Sequence, residues 1–124
     1  MKLRLRGNSI RLRLTQSEVA RFGREGKVEE TVRFNESERD LLYTLEIGAE
    51  SDLFAKFADG AIRVFIPEKQ ALEWINSQQV GIETPVGSSL RVLVEKDFAC
   101  SEVRPGENEE DAFPNPRNEA RSTS

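Results

Sequence analysis

The chemistry-bearing side chains nearest one another in this chain are five cations within its first thirteen residues: Lys2, Arg4, Arg6, Arg11 and Arg13. They fall at every second position, in Lys2-Leu3-Arg4-Leu5-Arg6 and again in Ile10-Arg11-Leu12-Arg13-Leu14. Successive side chains of a strand face opposite sides. The spacing therefore predicts two strands with Leu3, Leu5, Ile10, Leu12 and Leu14 on one face and the cations on the other. Gly7-Asn8-Ser9 joins them, and Gly-Asn offers the positive-φ residues of a tight hairpin turn. A guanidinium presents a planar fork of donors to phosphate, and a two-stranded ribbon can enter a major groove. The chemistry implied is capture of phosphates. A face of solvated cations, or one paired with carboxylates of another unit, has the same pattern.

Material for enzymatic chemistry is sparse. The chain has no histidine and a single cysteine, Cys100, which removes the commonest general base, most zinc sites and any internal disulfide. Glu95, Asp97 and Cys100 could be drawn as a cluster for a metal or a nucleophile, but without a histidine or a second thiol they read as a strand end. Glu29 and Glu30 with Glu83 read as solvating charges rather than paired catalytic carboxylates. The expectation is a non-enzymatic protein with no metal and no cofactor.

The elements that must position the cations follow in order. Thr15 and Glu18 form a capping box, Thr-x-x-Glu, opening a helix through Val19 and Phe22 that stops between Gly23 and Gly26. Lys27 to Phe34 alternates as a strand with Val28, Val32 and Phe34 inward. After the polar turn Asn35 to Glu38, Leu41 to Ile47 is the next strand. From Leu53 the pattern recurs at an offset of 52 residues. Leu5 to Leu12 falls on Phe57 to Val64, Leu14-Thr15 on Ile66-Pro67, Val19 and Phe22 on Ala71 and Trp74, and Val28 on Val80. Pro67 suits a first helical position. Val80 to Thr84 and Leu90 to Val94 are the closing strands.

The expected fold is thus mainly β with two short helices. Duplicated β-β-α-β-β units, residues 1–50 and 53–100, form one domain over 1–100, a single-chain barrel with pseudo-two-fold symmetry, because a unit this short buries little core alone. Leu12, Leu14, Val19, Phe22, Ile62, Val64, Ile66 and Trp74 are its expected core. Residues 101–124 carry Glu107, Glu109, Glu110 and Asp111 and no periodic apolar face, and are expected to be a disordered acidic and polar tail that Phe113 could anchor.

Charge is divided unevenly. Residues 1–27 hold a net of +6 in a chain whose total is −4, so a basic surface stands before an acidic body. No apolar run approaches a membrane span and no charged-then-apolar leader opens the sequence, so a cytoplasmic protein is expected.

The stretch Leu5 to Thr15, LRGNSIRLRLT, resembles the opening of the swapped-hairpin family of AbrB, MazE and SpoVT-type proteins. Gly60 to Lys69 with Ala71-Leu72-Glu73-Trp74-Ile75 is similar to it again. That resemblance implies two units paired in one interleaved barrel that grips duplex DNA through Arg4, Arg6, Arg11 and Arg13. A resemblance covering more of the chain, carried by Gly7 to Val19 and Val94-Glu95-Lys96-Asp97-Phe98, is to small bacterial proteins without an assigned activity. The second hairpin keeps only Lys56 and Arg63 on its polar face, with Ala58 and Phe65 elsewhere, unlike a symmetric palindrome reader. The functional expectation is a DNA-binding regulator or antitoxin-like protein acting through Lys2, Arg4, Arg6, Arg11 and Arg13. The alternative is an interaction module for an acidic protein surface; the chain would be a monomer or a homodimer.

Overall fold

The computed structural model describes residues 1–35 and 39–98. The chain runs β1 (Lys2–Arg6), β2 (Ser9–Leu14), α1 (Gln16–Glu25), β3 (Lys27–Arg33), β4 (Asp40–Gly48), β5 (Phe54–Ala58), β6 (Ala61–Pro67), α2 (Glu68–Ile75), β7 (Gly81–Glu83) and β8 (Arg91–Lys96). It is mainly β, in two four-stranded sheets of order β1-β2-β8-β7 and β3-β4-β6-β5. The first hairpin therefore pairs with the last, through β2 and β8 in parallel, and the two middle hairpins pair through β4 and β6 in parallel.

The expected closed barrel does not form. Among the described residues no ladder joins the two sheets, whose edges are β1 and β7 in one and β3 and β5 in the other. β7 is only three residues long, and β3 is exposed over most of its length with Glu29, Glu30 and Arg33 along it. Short and charged edges are poor partners for further pairing.

Both sheets and both helices share one core. Leu12, Leu14, Val92 and Val94 from the first sheet meet Val28, Leu45, Val64 and Ile66 from the second, with Val19, Phe22, Ala71 and Trp74 from the helices. All eight expected core residues are buried. Phe22 and Trp74 meet edge to face, with centroids 6.3 Å apart, a geometry that sets one ring's positive edge against the other's negative face. The Trp74 indole N–H donates to the Val80 carbonyl at 3.1 Å, so burying this ring leaves no donor unpaired.

Four local expectations need correction. Val32 and Phe34 are exposed rather than inward, because β3 passes beyond the core after Val28. Ile82, not Val80, takes the buried place corresponding to Val28, and Val80 is exposed. Pro67 is the cap residue of α2 rather than its first residue, with extended ψ of 140°. In the first turn only Gly7 has positive φ, whereas the second turn uses both Asp59 and Gly60. Asn8 instead ties the turn to the neighbouring strand: its carbonyl accepts from the Arg91 amide and its side chain donates to the Ser89 carbonyl. The expected tail over residues 101–124, its Phe113 anchor and Cys100 lie outside the described residues.

The start of the chain is held by α1. Thr15 and Glu18 make the reciprocal capping box, with the Thr15 amide donating to Glu18 at 2.9 Å. Glu18 also accepts from the Met1 amine, which reaches Glu30 of β3 at 3.0 Å. The Tyr43 hydroxyl closes the group by donating to the Met1 carbonyl at 2.8 Å. Burial pushes the Glu18 carboxyl up, but the hydrogen bonds from the amine and from Thr15 outweigh it and hold its pKa below the usual value. Burial likewise pushes the amine down, and its bonds to Glu18 and Glu30 outweigh that and raise it.

Two outcomes are expected. Trp74→Ala should cost about 3–5 kcal/mol in chemical denaturation, as loss of a large buried ring does; an unchanged midpoint would contradict the shared core. A depressed carboxyl stabilises above its unfolded pKa and loses that contribution as pH falls through the folded value. A raised amine contributes below its unfolded pKa and stops as pH rises through the folded one. The melting temperature should therefore fall on both sides of neutrality, and Glu18→Gln should flatten the acid limb.

Candidate nucleic-acid interface

Register decides what the five cations can do. In the β1–β2 hairpin Lys2 lies opposite Arg13, Arg4 opposite Arg11, and Arg6 opposite Ser9. All five thus share the outer face of the first sheet, while Leu3, Leu12 and Leu14 turn toward the core. Two directly opposed pairs are of like charge, an arrangement that costs free energy unless an anion lies nearby.

Carboxylates on and just beyond β8 supply part of that charge. Parallel pairing sets Glu95 beside Arg13, and the carboxylate takes Arg13 at 2.9 Å and Arg11 at 3.5 Å. Lys2 pairs with Asp97 at 3.3 Å. Arg91 and Glu83 make a longer contact of 3.6 Å between well-exposed groups, of small energetic weight. Among the described residues Arg4 and Arg6 have no acidic partner, and both are exposed. The structure therefore brings all five predicted residues onto one face but divides them: Arg11, Arg13 and Lys2 are partly neutralised, and Arg4 and Arg6 are open to solvent.

Glu95 is the residue that sequence reasoning missed in this role. Its signal was present in the alternation of Val92, Val94 and Glu95, but its partner is set by a parallel pairing across more than eighty positions. Of the cluster that Glu95, Asp97 and Cys100 could form, Glu95 faces arginines and Cys100 lies outside the described residues. Nor do Glu29, Glu30 and Glu83 meet: β3 and β7 belong to different sheets, and Glu30 holds the Met1 amine. Among the described residues no three acidic or thiol groups are arranged to hold a metal ion, and no helix is long and apolar enough to cross a membrane.

The second hairpin repeats the frame with other chemistry. At the same offset of 52, Phe54 lies opposite Phe65, Lys56 opposite Arg63, and Ala58 opposite Ala61. The place of Lys2 and Arg13 is taken by stacked phenyl rings 4.9 Å apart. Arg63 leans on Glu46 at 3.4 Å. A Cβ on Gly48 would come within 2.9 Å of the Phe65 Cβ, so this aromatic pair depends on the strand beside it being bare there.

Fold and face together define a two-sheet β protein with a basic hairpin ribbon at one edge. The chain belongs to a family of unknown function, DUF7009, which it matches over residues 1–117. No curated protein and no solved structure matches it.

The opposed arginines yield a test. Arg4→Thr should raise stability by roughly 0.2–1 kcal/mol at low ionic strength, because it removes a like-charge cross-strand pair. The gain should shrink in high salt, where the repulsion is screened. A loss of stability at low salt would show that Arg4 is held by a partner.

Proposed function

We propose that this protein is a non-enzymatic binding module that engages the phosphate backbone of duplex DNA through the outer face of its first hairpin, as a regulator or antitoxin-like protein. The observation that carries this reading is the row of Lys2, Arg4, Arg6, Arg11 and Arg13 on one face, with Arg4 and Arg6 lacking a carboxylate partner among the described residues. Arg4 and Arg6 make the primary contacts. Arg11, Arg13 and Lys2 can exchange Glu95 and Asp97 for phosphate oxygens. Phosphate contacts position a protein without reading sequence, so generic duplex is the first ligand to try.

The same proposal takes the two halves as copies of one β-β-α-β-β unit with exchanged hairpins, as in the AbrB, MazE and SpoVT-type family. Two observations support it. Both first hairpins have the same register at an offset of 52, Lys2 with Arg13 and Phe54 with Phe65. Phe22 and Trp74, which stand at matched positions, meet edge to face. Beyond the helices the offset changes, because the connection from α2 to β7 is longer than that from α1 to β3. A cytoplasmic protein, monomeric or homodimeric, is the setting this reading requires.

A second reading has its own support. Glu95 and Asp97 already show the basic face accepting carboxylates, so an acidic protein surface could take the place of DNA.

Salt-dependent binding separates the two. On the DNA reading, retention of random duplex falls steeply with salt, with a log–log slope of about −0.9 per phosphate neutralised. Arg4→Glu with Arg11→Glu should abolish it and leave the fold intact, while changing Lys56 and Arg63 should matter less. Glu95→Gln should strengthen binding by releasing Arg11 and Arg13. Absence of any retention at low ionic strength would leave the protein-interaction reading.

A further inference from the structure

The hairpin tips carry exposed apolar residues. Leu5 and Phe57, matched positions in the two hairpins, are 57% and 70% exposed although each lies on the core side of its strand. With Ile10, Ala55, Ile62 and Leu90 they line a cavity of about 310 Å³ between the two sheets. That volume sits at the small end of ligand pockets, roughly 300–1,000 Å³, and it is large enough for an aromatic side chain. Apolar side chains left open side by side mark a site that something covers.

We propose that the chain's own residues Glu107 to Phe113 cover it, with Phe113 seated between Leu5 and Phe57 and the acidic run lying on Arg4 and Arg6. Three observations converge on this occupant. The first is charge: Glu107-Asn108-Glu109-Glu110-Asp111-Ala112-Phe113 has four carboxylates and no cation, and Arg4 and Arg6 are the cations of the ribbon without an acidic partner among the described residues. The second is geometry. β1 is a sheet edge, and Leu5 points to its inner side between Arg4 and Arg6 on the outer side. A segment crossing that edge therefore meets the guanidinium groups first and the cavity next. The third is reach. β8 starts beside the first turn, Arg91 opposite Ser9, and ends opposite Leu14, so the chain leaves Phe98 about 20 Å from the tips. The fifteen residues from Phe98 to Phe113 can span up to about 50 Å. The family match runs to residue 117 and so includes this segment.

Docking there would occupy the face assigned to phosphate, so the acidic segment competes with DNA; that consequence rests on the DNA reading, whereas the docking does not. The test uses the full chain with Phe113 replaced by the photocrosslinker p-benzoylphenylalanine. Irradiation should link position 113 to peptides containing Leu5, Phe57 or Leu90 within a single chain. Links only between chains, or only to other peptides, would overturn the proposal, the former in favour of a second copy as partner. In parallel, full-length Phe113→Ser, and separately the variant carrying Glu107→Gln, Glu109→Gln, Glu110→Gln and Asp111→Asn, are titrated with random duplex. If the docked state is about 90% populated, each variant should bind about tenfold more tightly than the parent. Equal affinity of parent and variants would overturn the competition. If none binds DNA while the intrachain crosslink forms, the docking stands and the DNA reading falls.

Discussion

Every other feature of this protein depends on the parallel contacts of β2 with β8 and of β4 with β6. A hairpin alone is marginally stable in water, and neither half of the chain builds a sheet from its own strands. The N-terminal hairpin must wait for the C-terminal one, since Ser9 to Leu14 pair with Arg91 to Lys96. The middle hairpins meet through Leu42 to Gly48 and Ala61 to Pro67. The turns share in this interlock. The Asn8 carbonyl accepts the Arg91 amide, and the Gly60 carbonyl accepts the Leu42 amide. Each hairpin tip is thereby pinned to the start of the strand beside it.

The same pairing creates the electrostatics of the basic face. A free β1–β2 ribbon would carry five cations with two like-charge pairs opposed. Docking β8 beside it brings in Glu95 and Asp97, enough for part of that charge and not for all of it. The arrangement is asymmetric across the ribbon, because the carboxylates come from the β8 side and, among the described residues, meet the edge strand only at its start, where Lys2 pairs with Asp97. Among the described residues neutralisation is strongest at Arg13, weaker at Arg11, and absent at Arg4 and Arg6. The most available cations are therefore the ones at the exposed edge, where a large anionic partner has room to approach. At the second hairpin the stacked Phe54 and Phe65 replace one of the two like-charge pairs, while Lys56 opposite Arg63 keeps the other.

What could be read from the sequence divides along the same line. Alternation of Leu3, Leu5, Ile10, Leu12 and Leu14 with the cations is a local, period-two signal, and it placed both strands and the face correctly. The Thr15–Glu18 box is equally local, and so are the matched core residues Phe22 and Trp74. The errors fall where distant partners decide. Val32 and Phe34 keep the alternation of an inner face, yet β3 outruns the core, which period alone cannot reveal. Val80 matched Val28 by offset, but the loop after α2 shifts the strand so that Ile82 is the buried residue. The closed barrel failed for a similar reason: the charges of β3 and the shortness of β7 disfavour pairing, but that these strands become edges is decided by distant partners.

For the candidate site the same distinction separates composition from pairing. The sequence shows which residues are cations and that they share a face. Which of them remain available follows only from β8, whose Glu95 lies across a contact between opposite ends of the chain. Leu5 gives the converse case. By alternation it belongs with Leu3 and Leu12 in the core, yet it stands at the tip, beside Phe57, and both are exposed over an open apolar space. An edge strand that has unpaired guanidinium groups on one side and an unfilled apolar cavity on the other is incomplete in both charge and packing. A partner that brings carboxylates or phosphates alone satisfies one of these needs. A segment that joins an acidic run to an aromatic ring satisfies both, and this chain contains such a segment.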